Sequence, residues 1–304
     1  MIESFTVTNH LGESLVLELT NPEESGLVIT SVTGLGQVDA DVNTTKLAGS
    51  DYSIKNSAFL IERNVVFSIQ YYGDDIEASR GTADRIFPTS KTVTIDVKTD
   101  YKELTFSGTV EKNEPKIFSP ESGCQVSIIC TDPFMYEKDA TSVPFGGIEP
   151  LFEFPFHADI EGFGDDMIEF GNIRIIKEKT IYYTGEAEVG FVITIHATGI
   201  VKGFTIYNLD QRKRIDIDDD ILTTITGSGI IQGDDIVIST IKGSKSATLT
   251  RNGVTYNIIN ALAKNKVIDW FELQKGDNLM AYSAEQGEYD MFINIKYRIS
   301  HKGI

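Results

Sequence analysis

Cysteine, tryptophan, basic residues and long apolar runs are all scarce in this chain. Its 304 residues include two cysteines and one tryptophan, and apolar stretches such as the one ending at Phe67 stop after a few residues. A membrane-spanning helix needs about 20 apolar residues in a row, so none is expected. The opening residues, MIESFTVTNH, show neither a basic nor an apolar signal region, and no secretory signal is expected there. Lys and Arg total 27 against 45 Asp and Glu, a net charge of −18, shared as −11 over residues 1–140 and −7 beyond. A surface this acidic repels phosphate backbones and anionic lipid, which argues against nucleic-acid binding and membrane insertion. Cys124 and Cys130 lie in one alternating segment. On a strand they would sit roughly 20 Å apart, too far for a disulfide. Two reduced thiols, at least one of them buried, are expected in a protein made in the cytoplasm.

Hydrophobic residues make up 41%, enough to bury real cores. Their period is 2 nearly everywhere. Val65, Phe67, Ile69 and Tyr71 form one stripe, and Val93, Ile95 and Val97 another. Ile193 and Ile195 alternate with Thr194 and His196, and Ile293, Ile295 and Tyr297 alternate with Asn294 and Lys296. Such stripes mark antiparallel strands buried on one face. Asn252-Gly253 lies between two of these runs and predicts a two-residue type I′ hairpin. One clear helix is expected, from an Asp cap after Gly73 to the residue before Pro88, with a shorter helical piece over 259–264. The segment Gly36–Ser50 reads as a polar loop. Prolines 133 and 144 bracket a stretch without alternation, so two domains are expected: residues 1–133, a linker over 134–144, and residues 145–304. Asp132 and Pro133 mark the junction.

The residues able to carry chemistry form no convincing set. Asp216, Asp218, Asp219 and Asp220 could attract Ca²⁺, but the Gly and closing Glu of the EF-hand loop are missing, and a solvated hairpin end after Arg212, Lys213 and Arg214 is the simpler reading. Asp165, Asp166 and Glu169 could supply a glycosidase pair, yet nothing marks one as buried. His10, His157, His196 and His301 show no metal-ligand spacing, and neither cysteine has a basic neighbour to activate it. Gly34-Leu35-Gly36 lacks the third glycine of a dinucleotide fingerprint, and Gly227-Ser228-Gly229 leads into another β run. Tyr182 and Tyr183 face opposite ways on a strand, and Trp270 reads as a packing residue. No catalytic, metal or cofactor residue is assigned, and no enzymatic activity is expected.

Several spaced features resemble the distal tail proteins of bacteriophages with long, non-contractile tails. Leu27–Gly36 is similar to that family's early strand, the helix before Phe87-Pro88 to its short helix, and Tyr101–Pro115 to the following strand pair. The most telling piece is Cys130-Thr131-Asp132-Pro133-Phe134, a Cys-x-Asp-Pro-aromatic end to the first domain. Phe204–Leu209, Gly233–Thr240, Trp270–Asn278 and Tyr297–Ile304 resemble its later strands and turns, whereas the acidic stretch Val38–Asn43 departs from the pattern. The resemblance implies an all-β protein with one short helix. It would have an N-terminal ring-forming domain of sandwich or split-barrel type and a C-terminal galectin-like β-sandwich. It further implies a hexameric ring at the virion tail tip, joining the tail tube protein to the tail-associated hub and docking receptor-binding proteins. Arg212, Lys213 and Arg214, the densest basic run, are the first candidates for contacts between subunits. The rival readings are a β-sandwich module that binds host-surface carbohydrate or another receptor and, behind it, a glycosidase.

Overall fold

The computed structural model describes residues 1–21, 25–116, 122–145, 147–150, 171–174, 177–262 and 268–304. The protein is all-β with two short α-helices, and it divides into two compact units, Met1–Asp139 with Ile299–Ile304, and Ala140–Arg298. The first unit holds β1 (Ile2–Thr8), β2 (Ser14–Glu18), β3 (Leu27–Thr33), β4 (Ala40–Lys46), β5 (Ser53–Leu60), β6 (Arg63–Tyr71), α1 (Ile76–Ile86), β7 (Thr92–Thr99), β8 (Glu103–Pro115), β9 (Gly123–Cys130) and β10 (Met135–Glu137). The second holds β11 (Thr141–Phe145), β12 (Gly147–Pro150), β13 (Gly171–Arg174), β14 (Glu178–Tyr183), β15 (Val192–Ala197), β16 (Thr205–Asn208), β17 (Lys213–Asp216), α2 (Asp219–Thr226), β18 (Asp235–Ser239), β19 (Ser246–Arg251), β20 (Val254–Asn257), a 3₁₀ turn (Ile259–Leu262), β21 (Gly276–Ser283) and β22 (Met291–Tyr297). The chain then re-enters the first unit as β23 (Ser300–His301).

The first unit is built on one antiparallel sheet in the order β2-β1-β7-β8-β9-β6-β3, with β10 added to β8 and β23 to β10. The alternation read in the sequence sets its inner face. Val65, Phe67, Ile69 and Tyr71 of β6 are buried, as are Val93, Ile95 and Val97 of β7. Phe67 is central: its ring meets Phe5 edge-on at 5.3 Å and Phe87 at 6.1 Å. Helix α1 begins where the Asp75 carboxylate accepts from the Ala78 N–H, and it buries Ala83 and Ile86 in this core. Both thiols lie on β9, free and buried. Burial pushes Cys124 up and Cys130 up to about 11, so neither is a thiolate near neutral pH.

The second unit contains a six-stranded sheet, β11-β22-β15-β18-β19-β20, and a four-stranded sheet, β14-β21-β16-β17. Aromatic side chains join their facing sides: Tyr183 meets Tyr297 at 5.7 Å and Phe145 meets Tyr282 at 6.0 Å. This is face-to-face sheet packing with alternate residues turned inward. Asn252 and Gly253 take φ of 50° and 79° between the paired residues Arg251 and Val254, the hairpin their sequence predicts.

Three expectations need correction. Segment 36–50 is not simply a loop, because Ala40–Lys46 pairs with Ser53–Leu60 as a hairpin. Neither of its faces is buried, so no alternation betrays it. The single expected helix has a companion, α2, formed by the acidic cluster and the residues after it. The Asp218 carboxylate accepts from the N–H groups of Asp220 and Ile221, Asp219 and Asp220 sit at the positive end of the helix, and Gly227 closes it at φ 83°. The expected connector 134–144 is largely paired strand, β10 on β8 and β23, and β11 on β22.

Candidate functional surfaces

The β4–β5 hairpin pairs with no other strand among the described residues. All of β4 is exposed, and Phe59 and Tyr52 are 70% and 78% exposed, beside Val42 and Ile54. A lone two-stranded ribbon is marginal in water, and its apolar side chains find no cover among the described residues. An unpaired ribbon of this kind is suited to a partner surface.

The second feature is the outer face of the six-stranded sheet. Antiparallel register places Phe292 beside His196 and His196 beside Asp235 in one row. The next row runs Pro144, Asn294, Thr194 and Val237. These residues line a concavity of about 440 Å³. His196 Nδ1 lies 2.7 Å from Asp235 Oδ1, and Asn294 Oδ1 accepts from Ser142 Oγ at 2.9 Å.

A third cluster organises the end of the first sheet. Arg63 has the same parity as Val65 and Phe67, so β6 turns it inward, where it is fully buried. Nε and Nη2 donate to Pro133 O at 3.0 and 2.7 Å, Nη1 to Gly34 O and Gly36 O at 2.6 and 2.7 Å, and Nη2 to Lys302 O at 2.6 Å. All five guanidinium N–H groups are thereby used. Burial pulls its pKa down, and nearby Cys130 and Asp132 offset part of that effect. Gly34 has φ of 84°, and a Cβ there would lie 1.9 Å from Asn64 O, so only glycine permits this close turn.

The residues singled out in the sequence fall as follows. Asp132 is a local brace, its carboxylate accepting from Phe134 N–H at 3.1 Å and from Tyr136 O–H at 2.7 Å, and Pro133 supplies the carbonyl held by Arg63. Arg212 occupies the β16–β17 turn at φ 54°, and Lys213 and Arg214 lie exposed on edge strand β17, where Arg214 Nε sits 3.1 Å from Asp216 Oδ2. Asp219 accepts from Gly203 N–H at 2.8 Å, so the acidic residues cap and brace rather than converge. His196 faces Asp235, and His301 lies 3.1 Å from Glu137 across β10 and β23. Tyr182 is exposed and Tyr183 buried, while Trp270 is half-buried under Lys245, 5.4 Å from its ring centre. Among the described residues no group of three or more His, Cys, Asp or Glu could hold a metal ion. His157, Asp165, Asp166 and Glu169 lie outside the described residues. Arg63 was missed, although its position in the β6 alternation marks it as inward-facing.

No protein-family model matches the chain, and no curated protein matches it in sequence. Solved structures do match. The chain is similar to the Dit protein of phage SPP1, described as a paradigm of the hub adsorption apparatus of phages infecting Gram-positive bacteria. That match has a TM-score of 0.63 and 15% identity, covering 97% of this chain and 99% of that one. It is also similar to a chain of the phage P2 baseplate in its activated conformation with Ca, at TM-score 0.53 and 12% identity over 100% of both chains. The same baseplate with Sr gives 0.52 and 12% over 97% of each. The resemblance read in the sequence therefore holds at the level of the fold, and over nearly its whole length the chain has the fold of a phage Dit hub protein.

Proposed function

We propose that the chain is a structural protein of a phage tail tip or baseplate. The observation that carries this reading is the end-to-end match to the SPP1 Dit fold, with 97% and 99% mutual coverage spanning both units. In this reading the protein is made in the host cytoplasm, resides in the virion, and self-associates as a hexameric ring between the tail tube and the tail-associated hub. The second unit offers a platform for receptor-binding proteins. The role is mechanical, and no catalytic step is assigned. The β4–β5 hairpin supports self-association, because its exposed Val42, Ile54 and Phe59 need cover that a neighbouring copy can provide. Arg212, Lys213 and Arg214 on the exposed β17 edge are the proposed charged contacts.

Light scattering of the purified chain across a salt series tests the ring. At −18 per copy, repulsion opposes closure at low salt and is screened beyond about 8–10 Å at physiological ionic strength. The expected mass is six times that of one chain, reached more readily as salt rises, and Ile54→Asp with Phe59→Asp should return it to monomer without loss of folding. A monomer at every salt concentration would overturn the ring. A ring that loosens as salt rises would shift the holding contacts from the hairpin to Arg212, Lys213 and Arg214.

A further inference from the structure

We propose that the outer face of the six-stranded sheet in the second unit binds a neutral saccharide, in the concavity floored by Phe292, His196, Asp235, Asn294, Thr194 and Pro144. The proposal stands apart from the assembly reading, because it uses only side chains on one face of one sheet.

The volume, about 440 Å³, falls in the range of small-molecule sites. Apart from edge strand β11, which supplies Pro144, the strands that carry the site, β22, β15 and β18, are interior to the sheet and paired on both sides. Their backbone groups are already satisfied, so a peptide cannot add as another strand there. Recognition must come from side chains, and these have a particular character. In a chain with 24% charged residues, the two rows around the concavity carry one aromatic ring, one imidazole, one amide, one hydroxyl and a single carboxylate.

Phe292 is 60% exposed on a strand whose alternate residues are core. Its electron-rich face suits the weakly positive C–H groups of a pyranose ring. Beside it, His196 Nδ1 lies 2.7 Å from Asp235 Oδ1; a carboxylate oxygen accepts, so Nδ1 donates, and in the neutral imidazole Nε2 is then an acceptor. Asp235 keeps a second carboxylate oxygen for a further hydroxyl. In the next row Ser142 Oγ donates to Asn294 Oδ1, so the Asn294 amide presents its N–H₂ side. Two acceptors and a donor around an aromatic platform match neighbouring sugar hydroxyls, each of which both donates and accepts. Two strand spacings separate Phe292 from Asp235, about 10 Å, which is room for one or two sugar rings. The lone carboxylate and the chain's −18 charge select against phosphorylated or acidic sugars.

Saturation-transfer NMR on the full chain, with the methyl glycosides of glucose, galactose and N-acetylglucosamine, tests the site and works equally for a monomer or a ring. Transfer to at least one glycoside is expected, strongest at the protons of one ring face. Phe292→Ala should abolish it and Asp235→Asn should weaken binding at least tenfold. Tyr101→Ala, which removes a fully exposed aromatic in the first unit, should leave it unchanged. Circular dichroism verifies that each variant is folded. No transfer from any glycoside at tens of millimolar, or transfer unaltered by Phe292→Ala and Asp235→Asn, would overturn the proposal. So would a particle mass that drops with Phe292→Ala in the absence of transfer, because the face would then be a subunit contact. A failed ring with intact transfer would leave the saccharide site standing.

Discussion

Arg63 shows how one side chain can join distant parts of a sequence. Its guanidinium ties the turn at Gly34–Gly36, the segment after β9 at Pro133 and the carboxy-terminal segment at Lys302, all through backbone carbonyls. A charge buried this completely is tolerated because each N–H has an acceptor and Asp132 lies nearby. Replacing it with Met keeps the bulk and strips the four carbonyls of their donor. Bonds to a charged group are worth about 1.5–3 kcal/mol each, so urea denaturation of Arg63→Met should lose at least about 3 kcal/mol. Arg63→Lys should not rescue it, since an ammonium cannot reach carbonyls spread around a planar fork. A midpoint unchanged in both variants would mean that the carbonyls find water instead.

At the scale of elements, the two helices illustrate opposite kinds of legibility. Helix α1 is written in the sequence twice, by its Asp75 cap and by the Pro88 that follows it, and its stripe ends at the buried Ile86. Ile86→Asp would place an unpaired carboxylate against Phe87 and the β6 stripe, at a cost of several kcal/mol. Thermal unfolding followed by circular dichroism should show the first unit melting well below the native protein. An unchanged melting curve would mean that the stripe is not core. Helix α2 was hidden because four aspartates suggest a solvated turn. The same residues are favourable at a helix start, where the N–H groups are unpaired, and the Leu222 that follows is buried.

The whole chain crosses between its two units twice, once near residue 139 and again near residue 298. Lys138, Asp139 and Ala140 lie outside any strand, between β10 and β11, and offer the natural site for a protease. A cut there should give two bands on a denaturing gel. The particle should nevertheless elute as one on native gel filtration, because Ser300 and His301 remain paired to β10 and Lys302 O remains bonded to Arg63. Adding Arg63→Met to the nicked protein should loosen that hold. Separation of the two pieces without any substitution would show that the return strand contributes little.

The sequence alone determined the β architecture, the parity of its strands, the type I′ turn at Asn252-Gly253 and the reduced state of two thiols, because these depend on neighbours within a few residues. Phe67 is inward because every second residue of β6 is apolar, whatever the strand order. The tertiary structure decided everything that requires residues far apart in the chain. It brought Phe292, His196 and Asp235 into one row, although these positions share no motif along the chain. It turned the acidic run into a cap and made a hairpin of a stretch that has no buried face to mark it. It also returned the last six residues, 299–304, to the first unit, where the β10–β23 pair, the buried Arg63 guanidinium and a bond from the Ile304 N–H to Leu35 O hold them. Local pattern fixes which face of a strand is buried, but only sheet register fixes which outward-facing side chains become neighbours.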